Sequence, residues 1–488
     1  MARTGEGVAA SGLWTPEALA AATAGERAGQ GAQVLSGVSI DTRTLESGDV
    51  FFAITGERSD GHDYVAAALE RGAGLCVVSR EGRDRIAAAL PAGAPLLVVE
   101  DVLAALEAAG RSARARTAAR IVAVTGSVGK TTTKESLRLA LAADGATHAS
   151  AASYNNHWGV PLSLARMPAD SRYGVFELGM NHAGEITPLT AMVRPHIAII
   201  TTIEPVHIAH FSGIEGIADA KAEIFTGVEP GGAAVLNRDN PQFGRLERAA
   251  RAAGVDQIVS FGEAEGAEAR LLSVALRPEG SAATADILGE TVSFKLGLPG
   301  RHIVQNALAV LAAAKLAGAD LALAALGLAA LAPPPRRGVR TLLHVKGGDA
   351  LMIDESYNAN PASMRAALAV LGNTPVGARG RRIAVLGDML ELGAAGEGLH
   401  LDLAASAAEA ADLVFCAGPL MQALYEALPP NRRGGWAPDA ATLVPTVAGA
   451  LRGNDVVTVK GSNGSRMGAL AQALIERFHA EGGVGAEG

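Results

Sequence analysis

Cysteine is almost missing: 488 residues carry two, Cys76 and Cys416. Two thiols this far apart form neither a disulfide framework nor a metal-binding spacing, and each sits in an apolar, strand-like run where a thiol acts as a small buried hydrophobe. Aromatic residues are scarce at 4%, while 49% of the chain is hydrophobic with abundant Ala and Gly, a balance that suits a globular α/β enzyme and excludes a disordered chain. An excess of positive charge is also lacking. The net charge of −8 argues against a general nucleic-acid binder and against a protein of anionic membrane surfaces, local cationic sites apart. No apolar run reaches the length of a membrane span, and MARTGEGVAASG at the start has no signal-peptide core. The expectation is a cytoplasmic protein with no membrane insertion, and the length predicts two to four domains.

What is present centres on Ile121–Thr133, IVAVTGSVGKTTT. The β-branched run Ile121–Val124 predicts a buried strand. Gly126 and Gly129 allow a tight turn through Ser127 and Val128 whose N–H groups point inward at phosphate oxygens. Lys130 supplies charge for the β and γ phosphates, the Thr131 hydroxyl is placed to ligate Mg²⁺, and Thr132 continues into the helix. Val124 stands where the common P-loop has its first glycine, so this is a shorter loop, G-x-x-G-K-T-T.

The rest of the chain reads as α/β in three domains. Residues 1–117 form a small N-terminal α/β unit, 118–335 a central P-loop domain and 336–488 a C-terminal Rossmann-like domain. Strand and helix alternate through the middle as in a doubly wound sheet, with shorter strands near Ile258–Phe261, Leu271–Leu276, Ala283–Ile287 and Val292–Leu296 predicted as an antiparallel appendage. Pro333-Pro334-Pro335 cannot continue a helix and marks the linker. Beyond it a second alternation includes a strand at Ala350–Asp354 and a helix at His400–Ala411, with no glycine-rich dinucleotide fingerprint.

Several residues carry chemistry in this pattern. Glu177 ends a strand in FELGMN, beside the P-loop strand if the sheet is parallel, where carboxylates bind Mg²⁺. His207 in IEPVHIAHF follows another strand end and competes with His210. Lys221, in DAKAEIF on a predicted helix, reads first as a surface lysine. Asn155-Asn156-His157 is a polar cluster before a helix, suited to ligand groups or to capping. Asp354, after a strand in DESYNANP, could hold a ribose hydroxyl or cap the next helix, and Asp388 and Lys460 also sit at strand C-termini, the edge where open α/β sheets bind ligands.

Together these motifs resemble the muramyl peptide ligases, ATP-dependent enzymes that build the peptide of bacterial cell-wall precursors. TGSVGKTT is the loop form of that family and of folylpolyglutamate synthetase. DESYNANPASM, LGDMLELG followed by His400, and VKGS are similar to the members that complete the peptide, and SIDTR with SGDVFFAITGERSDGH resembles their uridine-nucleotide domain. The resemblance implies a ligase that joins D-alanyl-D-alanine to a UDP-N-acetylmuramoyl-tripeptide at the expense of ATP, working as a monomer without nucleic acid. It implies Mg²⁺ on Thr131, Glu177, His207 and a CO₂-derived carbamate of Lys221, with Lys130, Glu177, His207 and Lys221 as the catalytic set. Asn306 then reads adenine, with Ile303 standing where a second asparagine often occurs. Arg337 reaches the ATP phosphates, although Arg336 adjoins it, and Asp354 and Asn358 contact nucleotide. Thr42 and Arg43 belong to the uridine diphosphate site, and Asn156 and His157 to the substrate. Two other readings are a ligase that adds a diamino acid and a nucleotide-driven conformational switch.

Overall fold

The computed structural model describes residues 12–56, 59–151, 153–205, 211–277 and 279–480. Three sheets follow one another along the chain. The first contains β1 (Glu26–Ala28), β2 (Val38–Ser39), β3 (Val50–Phe52), β4 (Leu75–Ser79) and β5 (Leu96–Val99), in the order β1-β5-β4-β3-β2. It is parallel except for β1, which runs antiparallel along β5. Cys76 lies within β4, wholly buried, as its apolar run predicts.

The second sheet comprises β6 (Arg120–Thr125), β7 (Thr147–Ala149), β8 (Tyr173–Glu177), β9 (Ile197–Ile200), β10 (Ala233–Asn237), β11 (Gln257–Gly262), β12 (Ala269–Arg277), β13 (Gly280–Ile287) and β14 (Glu290–Leu296). Their order is β14-β13-β12-β11-β10-β9-β6-β8-β7, so the P-loop strand β6 lies between β8 and β9. Ile121, Val122, Ala123 and Val124 are fully buried because helices cover both faces, which is why this strand reads as a continuous apolar run. The expected antiparallel appendage is corrected here: β11 pairs in parallel with β10, and β12–β14 extend the same sheet as an antiparallel meander. Alternating burial along β13 shows a sheet covered on one side only.

The third sheet holds β15 (Val339–Val345), β16 (Gly348–Glu355), β17 (Arg382–Gly387), β18 (Leu413–Ala417), β19 (Arg433–Ala437) and β20 (Val456–Lys460), in the order β15-β16-β20-β17-β18-β19. Only β15 is antiparallel, as the partner of β16 in a hairpin. Cys416 is wholly buried in β18. The single helix expected over His400–Ala411 is two, Gly396–Leu401 and Ala404–Ala410. His400 explains the division: wholly buried, its Nε2 accepts from the Met389 N–H at 2.9 Å and its Nδ1–H donates to the Gly396 carbonyl at 2.6 Å. That pins the first helix to the loop after β17, while the second packs mainly on helix Pro361–Asn373.

The first two units are welded by helix Val102–Ala115 lying on helix Gly159–Ala165. Gly110 lets them approach, since a Cβ there would stand 3.0 Å from the Pro161 carbonyl. Trp14 Nε1 donates to the Ala165 carbonyl at 2.8 Å and Arg166 Nε to the Val38 carbonyl at 2.7 Å, so buried polar groups cross the same seam paired. Among the described residues no helix is long and apolar enough to cross a membrane.

Candidate active site

Because β6, β8 and β9 are parallel, the segments leaving their C-terminal ends converge on one point of the sheet edge. Gly126 and Gly129 have φ of 146° and 84°, and an added Cβ would collide with Thr201 Oγ1 at the first and stand 2.6 Å from Asn306 Nδ2 at the second. Both glycines are therefore required by left-handed backbone and by close approach. The loop between them is braced from the segment after β9. Thr201 donates to the Val128 carbonyl at 2.6 Å, the Ser127 N–H to the Thr202 carbonyl at 2.9 Å, and the Ser127 hydroxyl to the Glu204 carbonyl at 2.9 Å. Helix Lys130–Ala142 starts directly after it, presenting free N–H groups and the positive end of its dipole to the loop.

Lys130 folds over this cradle, its Nζ donating to the Gly126 carbonyl at 2.6 Å. Burial lowers its pKa, with the Arg337 charge adding and the Glu177 charge opposing. Glu177, 1% exposed, stands opposite Val124 in register. Its Oε2 accepts from the Thr131 hydroxyl at 2.9 Å and its Oε1 from Asn155 Nδ2 at 2.7 Å. Within the polar cluster that sequence reasoning singled out, Asn155 is thus the residue that reaches the site, while Asn156 Oδ1 accepts from the Gly159 N–H at the start of the next helix and His157 is exposed. Capping accounts for Asn156. A backbone bond also ties the two segments, Gly179 N–H to the Asn155 carbonyl at 2.8 Å, a contact between residues distant in sequence that no local motif announces.

Lys221 belongs to helix Ile214–Ala222 and is 2% exposed, so it is no surface lysine. Burial pushes its pKa well below the ordinary value, and the charge of Lys130 pushes the same way. His207 and its competitor His210 lie outside the described residues. Among those described, no group of three His, Cys, Asp or Glu side chains could hold a metal ion. The local donors that suit Mg²⁺ are the Thr131 hydroxyl and the Glu177 carboxylate, oxygen ligands already converged. An ammonium at Lys221 does not fit a metal, whereas a carbamate on it would add oxygens.

The third sheet closes the other side of a cleft of about 500 Å³, a size typical of small-molecule sites. Its lining includes Lys130, Thr131, Glu177, Asn306, Arg337 and Asn358, so the structure brings these central candidates and part of the C-terminal ones together, while Lys221 lies outside the lining. Ile303 is 8% exposed and offers an apolar wall. Both neighbouring arginines line the cleft, with different contacts: Arg336, at φ 59°, lies with Nη1 3.1 Å from where a Cβ of Gly468 would stand, while Arg337 places its guanidinium 3.9 Å above the Tyr357 ring and acts on Lys130. Asp354 turns out of the lining, its Oδ1 accepting from the Ser356 N–H at 2.9 Å, and its neighbour Glu355 faces the cleft instead. Neither caps the following helix, which Asn360 and Ser363 close as a capping box. Lys460, 3% exposed, also lines the cleft, at the C-terminal strand edge where the sequence places it.

Thr42 and Arg43 stand apart from this cleft, in the turn Thr42–Thr44 after β2. Asp41 shapes that turn by accepting from the Arg43 N–H at 2.9 Å and holds the Arg43 guanidinium at 2.6 Å. Nearby, Asp60 accepts from His62 Nδ1 at 2.6 Å, and the Ser79 N–H donates to His62 Nε2 at 3.0 Å, fixing the polar loop after β3.

Three family models match in order: the Mur ligase family catalytic domain over residues 34–114, the Mur ligase middle domain over 124–314, and the Mur ligase glutamate ligase domain over 341–463. A UDP-N-acetylmuramoyl-tripeptide–D-alanyl-D-alanine ligase of Escherichia coli is 34% identical over 92% of this chain and 95% of its own. One of Bacillus subtilis is 32% identical over 91% and 94%. Among solved structures, MurF from Acinetobacter baumannii superposes with a TM-score of 0.79 at 31% identity, covering 95% of this chain and 99% of that one. MurF from Thermotoga maritima in complex with ADP shares the fold with a TM-score of 0.73 at 24% identity, over 91% and 98%. With three matched domains in family order and relatives this similar along nearly their whole length, the chain belongs to the Mur ligase family.

Proposed function

We propose that this protein joins D-alanyl-D-alanine to UDP-N-acetylmuramoyl-tripeptide, using ATP, in the cytoplasm and as a monomer. The observation that carries the reading is a single cleft in which a phosphate loop, a buried carboxylate and an arginine from the third unit face one another. Relatives over 30% identical along the same three domains bear the name of that activity. Residues 1–117 would hold the UDP end of the substrate around Thr42 and Arg43, 118–335 would carry ATP and the tripeptide, and 336–488 would bring the dipeptide.

The tripeptide carboxylate attacks the γ-phosphorus of ATP, and ADP departs with the bridging oxygen. An acyl phosphate results. Lys130, the loop N–H groups and Arg337 offset the negative charge that spreads over the transferring group. Mg²⁺, held by Thr131, Glu177 and a carbamate of Lys221, with His207 as a further ligand, would supply additional neutralisation when bound. Asn155 keeps the Glu177 carboxylate oriented, and Asn306, packed against Gly129, faces the nucleotide along with Asn358. The dipeptide amine then attacks the acyl carbon, loses its proton, and phosphate leaves from the tetrahedral intermediate. Water competes for the acyl phosphate, so closing the cleft with the third unit protects it.

The test is ADP release with ATP, Mg²⁺ and UDP-N-acetylmuramoyl-tripeptide, with and without D-alanyl-D-alanine, for diaminopimelate and lysine tripeptides. Release that depends on the dipeptide and yields a UDP-linked pentapeptide is expected. Release indifferent to every acceptor would replace the ligase by a nucleotide-driven switch.

A further inference from the structure

The linker arginine is fastened to the third sheet by backbone alone. The Gly338 N–H donates to the Asp354 carbonyl at 2.8 Å and the Tyr357 N–H to the Arg336 carbonyl at 3.1 Å, bracketing Arg337 between two bonds to the segment that follows β16. Its side chain then lies flat on Tyr357, 3.9 Å from the ring centre. Tyr357 keeps 37% exposure despite this contact, and both residues line the cleft. The ring is therefore a shelf at the cleft wall rather than part of a core.

The shelf has its own support. Lys460 ends β20 in register with Glu355, and its buried Nζ donates to the Asn358 carbonyl at 3.0 Å and to the Glu355 carbonyl at 3.4 Å, with Glu355 Oε2 at 3.6 Å. An ammonium has three protons, and these three oxygens surround it from one loop. The carbonyls flank Tyr357 on both sides, so the lysine fixes the arc that presents the ring. Removing the amine would leave buried carbonyls unpaired and release that arc.

We infer that Tyr357 and Lys460 are positioning residues that aim Arg337 at the nucleotide phosphates, Tyr357 as a stacking platform and Lys460 as the clamp of the loop bearing it. The inference rests on the ligase reading for the use of the nucleotide, but not for its binding. A guanidinium held by stacking keeps all its N–H donors free for phosphate oxygens, which a carboxylate partner would occupy. That is the chemical reason for an aromatic residue here. The conformation is set without neutralising the charge that the phosphates are to meet.

The experiment is a double-mutant cycle read by affinity for a fluorescent, non-hydrolysable ATP analogue, with kcat and KM for ATP measured beside it. Tyr357→Leu should weaken binding about tenfold, Tyr357→Phe by less than about twofold, because stacking needs the ring and not the hydroxyl. In an Arg337→Ala background Tyr357→Leu should cost less than about twofold more, and Lys460→Met likewise, since there is no guanidinium left to aim. Equal cost of Tyr357→Leu with and without Arg337 would overturn the inference, as would Tyr357→Phe behaving like Tyr357→Leu. Circular dichroism and thermal unfolding identify a variant that has lost its fold, and Tyr357→Phe is the variant that then decides. A wild-type protein that binds the ATP analogue yet forms no pentapeptide would defeat the ligase reading while leaving the cycle readable.

Discussion

Lys221 couples CO₂, pH and stability in a way that can be measured. Its ammonium is pushed well below its ordinary value by burial and by the Lys130 charge. In the unfolded chain the same amine titrates at about 10.4, as an unperturbed lysine does. Between the folded and unfolded values the unfolded state binds more protons. The unmodified protein therefore gains about 1.4 kcal/mol of stability per pH unit as pH rises through that window, and is least stable below the folded pKa. Carbamylation replaces the penalised ammonium by an anion beside Lys130. At about pH 7 bicarbonate should then raise Tm, and recovery of one pH unit of penalty corresponds to roughly 3–6 °C for a domain of this size class. Thermal unfolding in CO₂-stripped and bicarbonate-containing buffer, at about pH 7 and 9, reads the effect, and carbon spectra after labelled bicarbonate identify the adduct. Lys221→Met occupies similar space without an amine and should lose both the bicarbonate response and the pH slope. A wild-type protein whose Tm and carbon spectrum ignore bicarbonate would refute the carbamate and the charge argument with it.

Glu177→Gln keeps the shape but removes the charge and sets an amide against Asn155 Nδ2, so the Mg²⁺ concentration for half-maximal ADP release should rise about tenfold or more. An unchanged requirement moves the metal elsewhere. Gly129→Ala forces a Cβ at φ 84° to within 2.6 Å of Asn306 Nδ2. Strain of about 1–3 kcal/mol there should weaken ADP binding roughly 5- to 150-fold by titration. Gly231→Ala, at φ 75° with open space around its Cβ, is the control that should cost fold stability but not nucleotide affinity. Equal ADP binding by wild type and Gly129→Ala would contradict the close-approach argument.

What could be read from residues alone was what depends on neighbours in sequence. Helix Val102–Ala115 is of this kind, since its apolar spacing and the Asp101 cap are local. The P-loop emerges for the same reason, its glycines, lysine and threonine being contiguous. β15 and β19 escaped: the first, VRTLLHV, is half-exposed and follows a proline-arginine run, and the second, RGGWA, contains two glycines that no propensity assigns to a strand. Both form because a partner strand pairs with them. At the site, Glu177 was legible as a strand end, but Asn155 was not distinguishable from Asn156 until folding set it against the carboxylate. Asp354 was named in place of Glu355 because which of two adjacent residues faces the cleft is decided by the pleat and the turn after it. Arg337 was set ahead of Arg336 by family resemblance, and in the fold both line the cleft.

The sealed thiols have a practical consequence. Burial pushes Cys76 up to about 12 and raises Cys416 as well, and both are wholly inaccessible, so neither offers reagents a thiolate in the folded protein. A maleimide dye will see only a cysteine that is put in. Leu326, 71% exposed beside the second sheet, and Leu401, 47% exposed beside the third, are ready positions for a donor and an acceptor. Because neither natural cysteine has to be deleted, energy transfer between them would report, molecule by molecule, any change in the distance across the cleft in an otherwise native chain.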